Sequence, residues 1–287
     1  MTAIVVGAAG MARFKLKRVV RHGSGIAGIL VVAMFILAAI GAPLIAPYGP
    51  DATNWEAIRK APSVAHWFGT DEIGRDELSR VIWGARASLE AGVISVLIAG
   101  VIGVPAGLLA GFARGWTDAI LSRIVDAMLA IPFLILAIAL AAFLGPNLRD
   151  AMIAIGVSSA PIFMRVARAA TLDTMTRDFI EAARAVGNPP WRIALRHVAP
   201  NIAAPVLVQT NLSIATAIIA EASLSFLGLG EQPPTPSWGS MLNAAQQFLT
   251  QAPWLAVFPG LAIILVVLGF NLTGDALHDA LDTRRRK

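Results

Sequence analysis

The side chains that usually carry bond-making chemistry are few in this sequence, and their spacing does not favour a catalytic centre. The chain has no cysteine, which excludes disulfides, thiolate nucleophiles and cysteine-ligated metals. Its histidines lie far apart and include no His-Glu-x-x-His pair, so no metal site is predicted; they are His22, His66, His197 and His278. The serines lack the strand-to-helix elbow of nucleophilic hydrolases. No catalytic residue is therefore assigned, and a membrane-embedded hydrolase is the weakest of the functions considered.

Phosphate binding through a Walker loop is also excluded. Such a loop needs a Gly-Lys-Ser or Gly-Lys-Thr segment whose lysine reaches the phosphates. No lysine follows a glycine in this chain; the lysines are Lys15, Lys17, Lys60 and Lys287. The sequence therefore predicts no cofactor bound by this chain, and an ATP-driven function would require ATP and Mg²⁺ on separate ATPase subunits.

The charge pattern instead singles out one polar interruption between two long apolar runs, residues 177–200. Its first half has an apolar stripe at helical spacing, formed by Phe179, Ala182, Ala183 and Val186. Its second half repeats the pattern with Trp191, Ala194, Leu195 and Val198. We predict two short amphipathic helices joined by a turn, a shape suited to insertion into a groove of another protein.

Charged residues and a glycine complete the 177–200 stretch. Arg177, Glu181 and Arg184 lie opposite the first stripe, at spacings that allow ion pairs along a helix. Gly187 lies where a helix ends in the left-handed conformation, and the Asn-Pro-Pro sequence after it prevents the helix from continuing. Arg192 lies opposite the second stripe.

The bilayer is the expected solvent for most of the chain. Hydrophobic residues make up 56% of the sequence, charged residues only 14%, and the mean hydropathy is +0.69. A soluble domain of 287 residues could not bury that much apolar surface. The net charge of +5 is concentrated at both ends and in internal loops, which is the orientation signal of a membrane protein and not a nucleic-acid-binding stripe.

Six apolar runs predict an all-α membrane protein with six transmembrane helices. The runs are residues 26–47, 89–112, 120–144, 151–167, 202–220 and 254–272. Pro132 is expected to kink the third span. Tryptophans near the predicted outer boundaries are expected to anchor the chain in the interface; they are Trp67, Trp83, Trp238 and Trp254.

Basic residues set the predicted orientation and divide the chain. Those near the first span, in the 177–200 stretch and in the C-terminal tail place both termini and that stretch in the cytoplasm. The divisions are a cytoplasmic segment 1–25, a first transmembrane helix 26–47, an extracytoplasmic loop 48–88, a core membrane domain 89–275 and a cytoplasmic tail 276–287.

Two acidic residues of the predicted spans have both a structural and a functional interpretation. Asp126 lies three residues after Arg123 near the inner end of the third span, where the two charges could neutralise each other. Glu221 borders the fifth span; it could cap a helix, pair with a neighbouring subunit, or face a translocation path and meet a substrate's ammonium group. The structural interpretation is favoured for both, and both are retained as possible translocation-path residues.

Three segments resemble one family of membrane proteins. The 177–200 stretch contains Glu181-Ala182-Ala183, Gly187 and the sequence HVAP at 197–200, which resembles the EAA loop of permease subunits in ABC importers. The segment FGTDEIGRDELSRVIWGARASL, residues 68–89, resembles the corresponding segment in the dipeptide/oligopeptide/nickel branch of these permeases. Residues 221–239 resemble the same branch. The resemblance runs from about residue 66 to the C-terminus, and the chain is most similar to the shorter, C-type permease of such systems.

The resemblance implies a type I ABC importer permease fold in the cell membrane of a prokaryote. The implied partners are a second permease that completes a heterodimer, two ATP-binding subunits and an extracytoplasmic solute-binding protein. In that family the EAA loop docks into the ATPase, which implies an ATPase-coupling role for Glu181, Ala182, Ala183, Arg184, Gly187, Trp191 and Arg192. The chain would then be a non-catalytic subunit.

The expected function is half of a translocation path for dipeptides or oligopeptides. A nickel or glutathione importer of the same architecture is the alternative, and the ligand of the binding protein would separate the two. A channel or carrier that works without ATP is a more distant alternative, since such a protein would transport when purified alone.

Overall fold

Every regular element in the described part of the chain, residues 23–281 of the computed structural model, is a helix. The helices are α1 Gly23–Ile45, α2 Glu77–Ala113, α3 Gly115–Leu129, α4 Phe133–Leu144, α5 Leu148–Thr174, α6 Asp178–Ala185, α7 Pro190–Ile193, α8 Ala199–Phe226, α9 Trp238–Ala245 and α10 Trp254–Leu281. A π-helical segment, Ala194–Val198, joins α7 to α8. The basic N-terminal residues and the Arg284–Lys287 tail, on which the predicted orientation partly rests, lie outside the described residues.

The long helices confirm the predicted membrane architecture. Five helical segments are long and apolar enough to cross a bilayer: α1, α2, α5, α10 and the continuous segment Pro190–Phe226. The pair α3 and α4 would make a sixth span, bent by 90° between Leu129 and Phe133. Pro132 lies in that break. It interrupts the helix because proline has no N–H to donate and its ring prevents the preceding turn from continuing. The expected kink is thus a sharp break.

Several helices extend beyond the predicted spans. The second predicted span began at residue 89, but α2 begins twelve residues earlier at Glu77, inside the segment predicted as a loop. Asp76 caps this helix, because its carboxylate accepts a hydrogen bond from the Ser79 backbone N–H at 2.8 Å. The fourth span was predicted at 151–167, whereas α5 covers Leu148–Thr174. Polar residues can continue these helices once the apolar run has ended.

The most extensive helix packing in the described chain joins α2 to α5. Gly103, Gly107 and Gly111 follow one another at four-residue spacing on α2, and each faces the backbone of α5. A Cβ atom at Gly107 would lie 2.4 Å from the carbonyl oxygen of Met164, and one at Gly103 would lie 2.4 Å from that of Ala160. Small residues at this spacing allow two membrane helices to approach closely.

Two non-membrane segments lie at opposite ends of the long helices. One end is the cap, which we define as residues 46–76 and 227–253; α1 and α8 enter it, and α2 and α10 leave it. The other end is the 177–200 stretch, which follows α5 and leads into α8. Because α8 begins in the stretch and ends at the cap, the two lie at opposite ends of the helices.

Hydrogen bonds and buried charge pairs fix the cap to the helices. Trp238 is fully buried, its ring packs edge-on against Phe35, and its Nε1 donates to the carbonyl oxygen of Val81 at 3.0 Å. The prediction that Trp238 anchors the chain in the membrane interface is therefore wrong. Arg75 Nε donates to Asp71 Oδ2 at 2.5 Å within the cap, and Arg80 Nε of α2 lies 3.6 Å from the same oxygen. These two arginines thus share a buried partner inside the protein.

Candidate functional site

The first half of the 177–200 stretch is helix α6, and its end has the predicted geometry. Gly187 has a φ of +75°, in the left-handed region. The Asn188 backbone N–H donates to the Ala183 carbonyl oxygen at 3.2 Å, and the Gly187 N–H donates to that of Arg184 at 2.9 Å. This pair of bonds is the Schellman motif, which satisfies carbonyl groups at a helix end. The prediction that Gly187 terminates the helix is confirmed.

One face of the stretch packs against the body of the protein. Ile180 and Ala183 of α6 are buried together with Ile193, Val198 and Ile202. Ala167 of α5 and Met175 join the same cluster. This apolar cluster holds the stretch against the ends of α5 and α8, so displacement of the stretch must involve those helices.

A second apolar face points away from the protein. Phe179 is 42% exposed, Val186 80%, Trp191 62% and Leu195 63%. The predicted stripes therefore lie mainly on the outside, and Ala182 is exposed with them. Ala183 and Val198 are the exceptions, because they face the protein's own core. The sequence alone did not separate these two faces, since both are apolar.

The charges of the stretch are arranged differently from the prediction. Arg177 Nη2 lies 2.7 Å from Asp173 Oδ2, one turn earlier, and not near Glu181. Arg177 is the N-cap residue of α6, so its side chain reaches back toward the end of α5 more easily than forward. Within residues 23–281, neither Glu181 nor Arg184 lies within ion-pair distance of an opposite charge. Both are exposed and available to another molecule.

The second half of the stretch is not a separate short helix. Residues Pro190–Phe226 form one continuous helical segment of 37 residues, which includes α7, the π-helical segment and α8. The prediction of a second short helix separate from the span at 202–220 is therefore wrong. Pro200 lacks an N–H and its ring crowds the preceding turn, and the wider π turn just before it accommodates both effects. Arg192 lies over the ring of Trp191, with 5.5 Å between guanidinium carbon and ring centroid.

Glu221, a candidate path residue, lies at the cap end of α8 and is fully buried in this chain. Its carboxylate accepts hydrogen bonds from the hydroxyls of Ser88 at 3.0 Å and Ser225 at 2.7 Å. Ser88 in turn accepts a bond from the Trp238 backbone N–H at 3.4 Å. These contacts join α2, α8 and α9. They favour the structural interpretation of Glu221.

Asp126 also has a different partner from the predicted one. Its Oδ1 lies 2.7 Å from Arg165 Nη2, and both side chains are about half exposed. Arg165 is on α5, so the ion pair joins α3 to α5 and does not lie along one helix. Arg123 was expected as the partner because it lies three residues before Asp126. Spacing along the sequence does not indicate which residues a neighbouring helix brings close. A role of Asp126 in a path stays a prediction.

Sequence reasoning missed Ser88 and the helix α9, which complete the network around Glu221. A signal for α9 was present in the sequence. Ser237 and Ser240 form a capping box, in which the Ser237 hydroxyl accepts from the Ser240 backbone N–H and the Ser240 hydroxyl accepts from that of Ser237. A serine followed three residues later by a polar side chain is a typical helix start.

The sequence places the chain among known transport proteins. Residues 103–287, which include the whole 177–200 stretch, match the family described as the binding-protein-dependent transport system inner membrane component. The chain belongs to this family. Residues 13–62 match the N-terminal transmembrane domain of oligopeptide transport permease C. As a member of the transport system inner membrane component family, the chain is a multi-pass inner-membrane permease of an ABC importer.

Individual relatives support the same family. The dipeptide transport system permease protein DppC of Alkalihalophilus pseudofirmus is 45% identical over 274 residues, which cover 96% of this chain and 90% of that protein. The glutathione transport system permease protein GsiD of Pectobacterium atrosepticum is 44% identical over 271 residues, covering 93% of this chain and 89% of that protein. GsiD of Escherichia coli is 46% identical over the same shares.

A solved structure supports the fold. An inward-facing conformation of the MetNI methionine ABC transporter contains a chain that aligns with a TM-score of 0.58 at 24% identity. The alignment covers 71% of this chain and 96% of that chain. The permease fold predicted from the sequence is thereby confirmed.

Proposed function

We propose that this permease forms half of a translocation path for short peptides and receives them from a solute-binding protein. The observation that carries the proposal is the 45% identity to a dipeptide permease over 96% of the chain. A second permease subunit completes the path as a heterodimer, and two separate ATPase subunits hydrolyse ATP with Mg²⁺. Glutathione is the second candidate substrate, because GsiD proteins are 44–46% identical over similar lengths.

We further propose that the 177–200 stretch docks on an ATPase subunit. Its outward face combines apolar side chains with exposed charges, the composition of a docking surface that excludes water at its centre and binds polar groups at its rim. Phe179, Val186 and Trp191 supply the apolar part. Glu181 and Arg184 supply charges that have no ion-pair partner among residues 23–281. We retain Glu181, Ala182, Ala183, Arg184, Gly187, Trp191 and Arg192 as the proposed coupling residues. Ala183 is buried and would act by holding the stretch against α5 and α8, whereas the others are exposed.

The mechanism follows from the connection between the two ends. Closure of the ATPases on ATP draws the 177–200 stretches of the two permeases together. Because the buried cluster around Ile180 joins the stretch to α5 and α8, these helices move with it. The cap moves at the far end, and the path then opens toward the binding protein. ATP hydrolysis restores the inward-facing state.

The test uses the assembled complex with its binding protein, reconstituted in liposomes. We expect dipeptides to stimulate ATP hydrolysis and to accumulate in the vesicles, and Ni²⁺ to do neither. Stimulation by glutathione but not by dipeptides would favour the second candidate. Transport by this permease without ATPase subunits would refute the proposal, since it would indicate an ATP-independent carrier.

A further inference from the structure

A cavity of about 350 Å³ opens between the cap and the adjacent ends of α2 and α5. Its lining includes Asp51 and Glu231 from the cap, Trp83 and Glu90 from α2, and Leu148 at the start of α5. This volume is within the range of small-ligand sites in proteins. The cavity lies at the opposite end of the helices from the 177–200 stretch, so the docking surface proposed above does not account for it.

The charge of the cavity is negative. Asp51, Glu90 and Glu231 line it, and Arg86 is the basic residue among its lining groups. Arg86 is already engaged, because its guanidinium donates to the carbonyl oxygens of Ala39 and Ile40 in α1. It also lies over the ring of Trp83, with 4.5 Å between guanidinium carbon and ring centroid. The arginine thus links α1 to α2, and three carboxylates against one guanidinium leave the lining with a net negative formal charge.

Glu90 and Glu231 are near enough to repel each other. Burial and then the charge of Glu90 raise the pKa of Glu231, while a hydrogen bond from the Thr235 side chain lowers it. In the part of the chain from 23 to 281, neither carboxylate lies within 4.0 Å of a basic side-chain nitrogen. A cation placed between them would relieve the repulsion and replace the water that burial has removed.

Glu221, ten residues before Glu231, does not line the cavity. Its carboxylate oxygens accept hydrogen bonds from Ser88 and Ser225 inside the protein. The sequence made Glu221 a candidate to meet a substrate's ammonium group. The geometry assigns that chemistry more readily to Glu90 and Glu231, which face open space.

We propose that this cavity binds the N-terminal ammonium group of a short peptide between Glu90 and Glu231. The ammonium group has three N–H donors, and the two carboxylates offer acceptors on either side of it. Trp83 and Pro236 form apolar walls beside the first side chain of the peptide. The proposal rests on the proposed peptide-import function and adds a substrate contact at the cap end of the path.

The absence of cysteine from the chain permits a direct test in the assembled complex. Thr235→Cys introduces a thiol into the cavity wall, and Val64→Cys introduces one at a cap position that is 96% exposed. Each variant is treated with the cationic reagent trimethylammonioethyl methanethiosulfonate and with its anionic sulfonatoethyl analogue. Modification is read from the mass of this subunit, so thiols in other subunits do not contribute.

We expect the ratio of cationic to anionic reaction rates to be about tenfold higher for Thr235→Cys than for Val64→Cys. Adding Glu90→Gln and Glu231→Gln should bring that ratio to the level of the control. Alanyl-alanine at ten times its dissociation constant should slow the cationic reaction about tenfold, whereas N-acetyl-alanyl-alanine should leave it unchanged.

Equal rate ratios at the two positions, or equal effects of the two peptides, would overturn the proposal. A thiol in Thr235→Cys that reacts with neither reagent would also overturn it, because the cavity would then be covered by another subunit. The same preparation is assayed for ATP hydrolysis stimulated by dipeptides. Normal stimulation without protection of the thiol would refute the cavity alone, whereas absent stimulation would refute the proposed function.

Discussion

Gly187 allows helix termination to be separated from partner docking. Its left-handed conformation, with a φ of +75°, costs an L-residue about 1–2 kcal/mol relative to glycine. A Cβ atom built at this position meets no other heavy atom within 4 Å. The loss of stability should therefore depend on the presence of a side chain and not on its size.

This reasoning predicts a particular outcome for a series of substitutions. Gly187→Ala and Gly187→Trp should lower the melting temperature of the purified complex equally, by roughly 2–4 °C for each kcal/mol lost. Only Gly187→Trp should prevent the ATPase subunits from co-purifying and abolish peptide uptake, because a tryptophan adds about 150–250 Å² of surface at the proposed contact. Gly187→Asn is the matched control, since asparagine tolerates the left-handed conformation better than other residues.

The measurements are thermal unfolding in detergent, recovery of ATPase subunits on a tag in this chain, and uptake of a labelled dipeptide. Retention of ATPase subunits by Gly187→Trp would refute docking at this position. Equal loss of uptake in Gly187→Ala and Gly187→Trp would show that the glycine serves helix termination alone.

Three further predictions concern the two faces of the stretch and the helix packing. Ile180→Ala should lower the free energy of unfolding by about 2–5 kcal/mol because it leaves a cavity in the buried cluster. Phe179→Ala should leave the melting temperature unchanged and reduce the recovery of ATPase subunits. Equal melting temperatures for the two variants would contradict the assignment of the faces. Glu181→Lys should leave membrane insertion intact and abolish uptake and ATPase co-purification, and normal uptake would remove Glu181 from the coupling residues. Gly107→Ala should cost about 1–3 kcal/mol by forcing α2 and α5 apart, while Gly100→Ala, whose Cβ meets nothing within 4 Å, should not; thermal unfolding of both variants tests the packing of these helices.

The apolar runs predicted the spans well because the bilayer sets both their composition and their length. The helix ends were predicted less well. Glu77 follows a charged segment, and hydropathy placed it in a loop, although Asp76 and Ser79 form a typical N-terminal cap. Hydropathy detects where the membrane ends, whereas a helix continues as far as its backbone hydrogen bonds and caps permit.

The local geometry of the 177–200 stretch was predicted better than its contacts. The helix end at Gly187 was predicted correctly because a left-handed helix end depends on local sequence. The partner of Asp126 could not be found in that way, since Arg165 lies 39 positions further along the chain and on another helix. The assignment of Ile180 to the inner face and Phe179 to the outer face likewise depends on how α5 and α8 are arranged around α6.

The uninterrupted helix from Pro190 to Phe226 has a mechanical consequence. Its 37 residues form a helix about 55 Å long, from the rise of about 1.5 Å per residue. Trp191 lies near one end of this helix, and Glu221, near the other end, accepts a hydrogen bond from Ser88. A tilt of about 10° about one end would move the other by about 10 Å over that length. The π turn before Pro200 keeps the helix continuous, so a displacement at Trp191 can reach the cap as a tilt of this one helix.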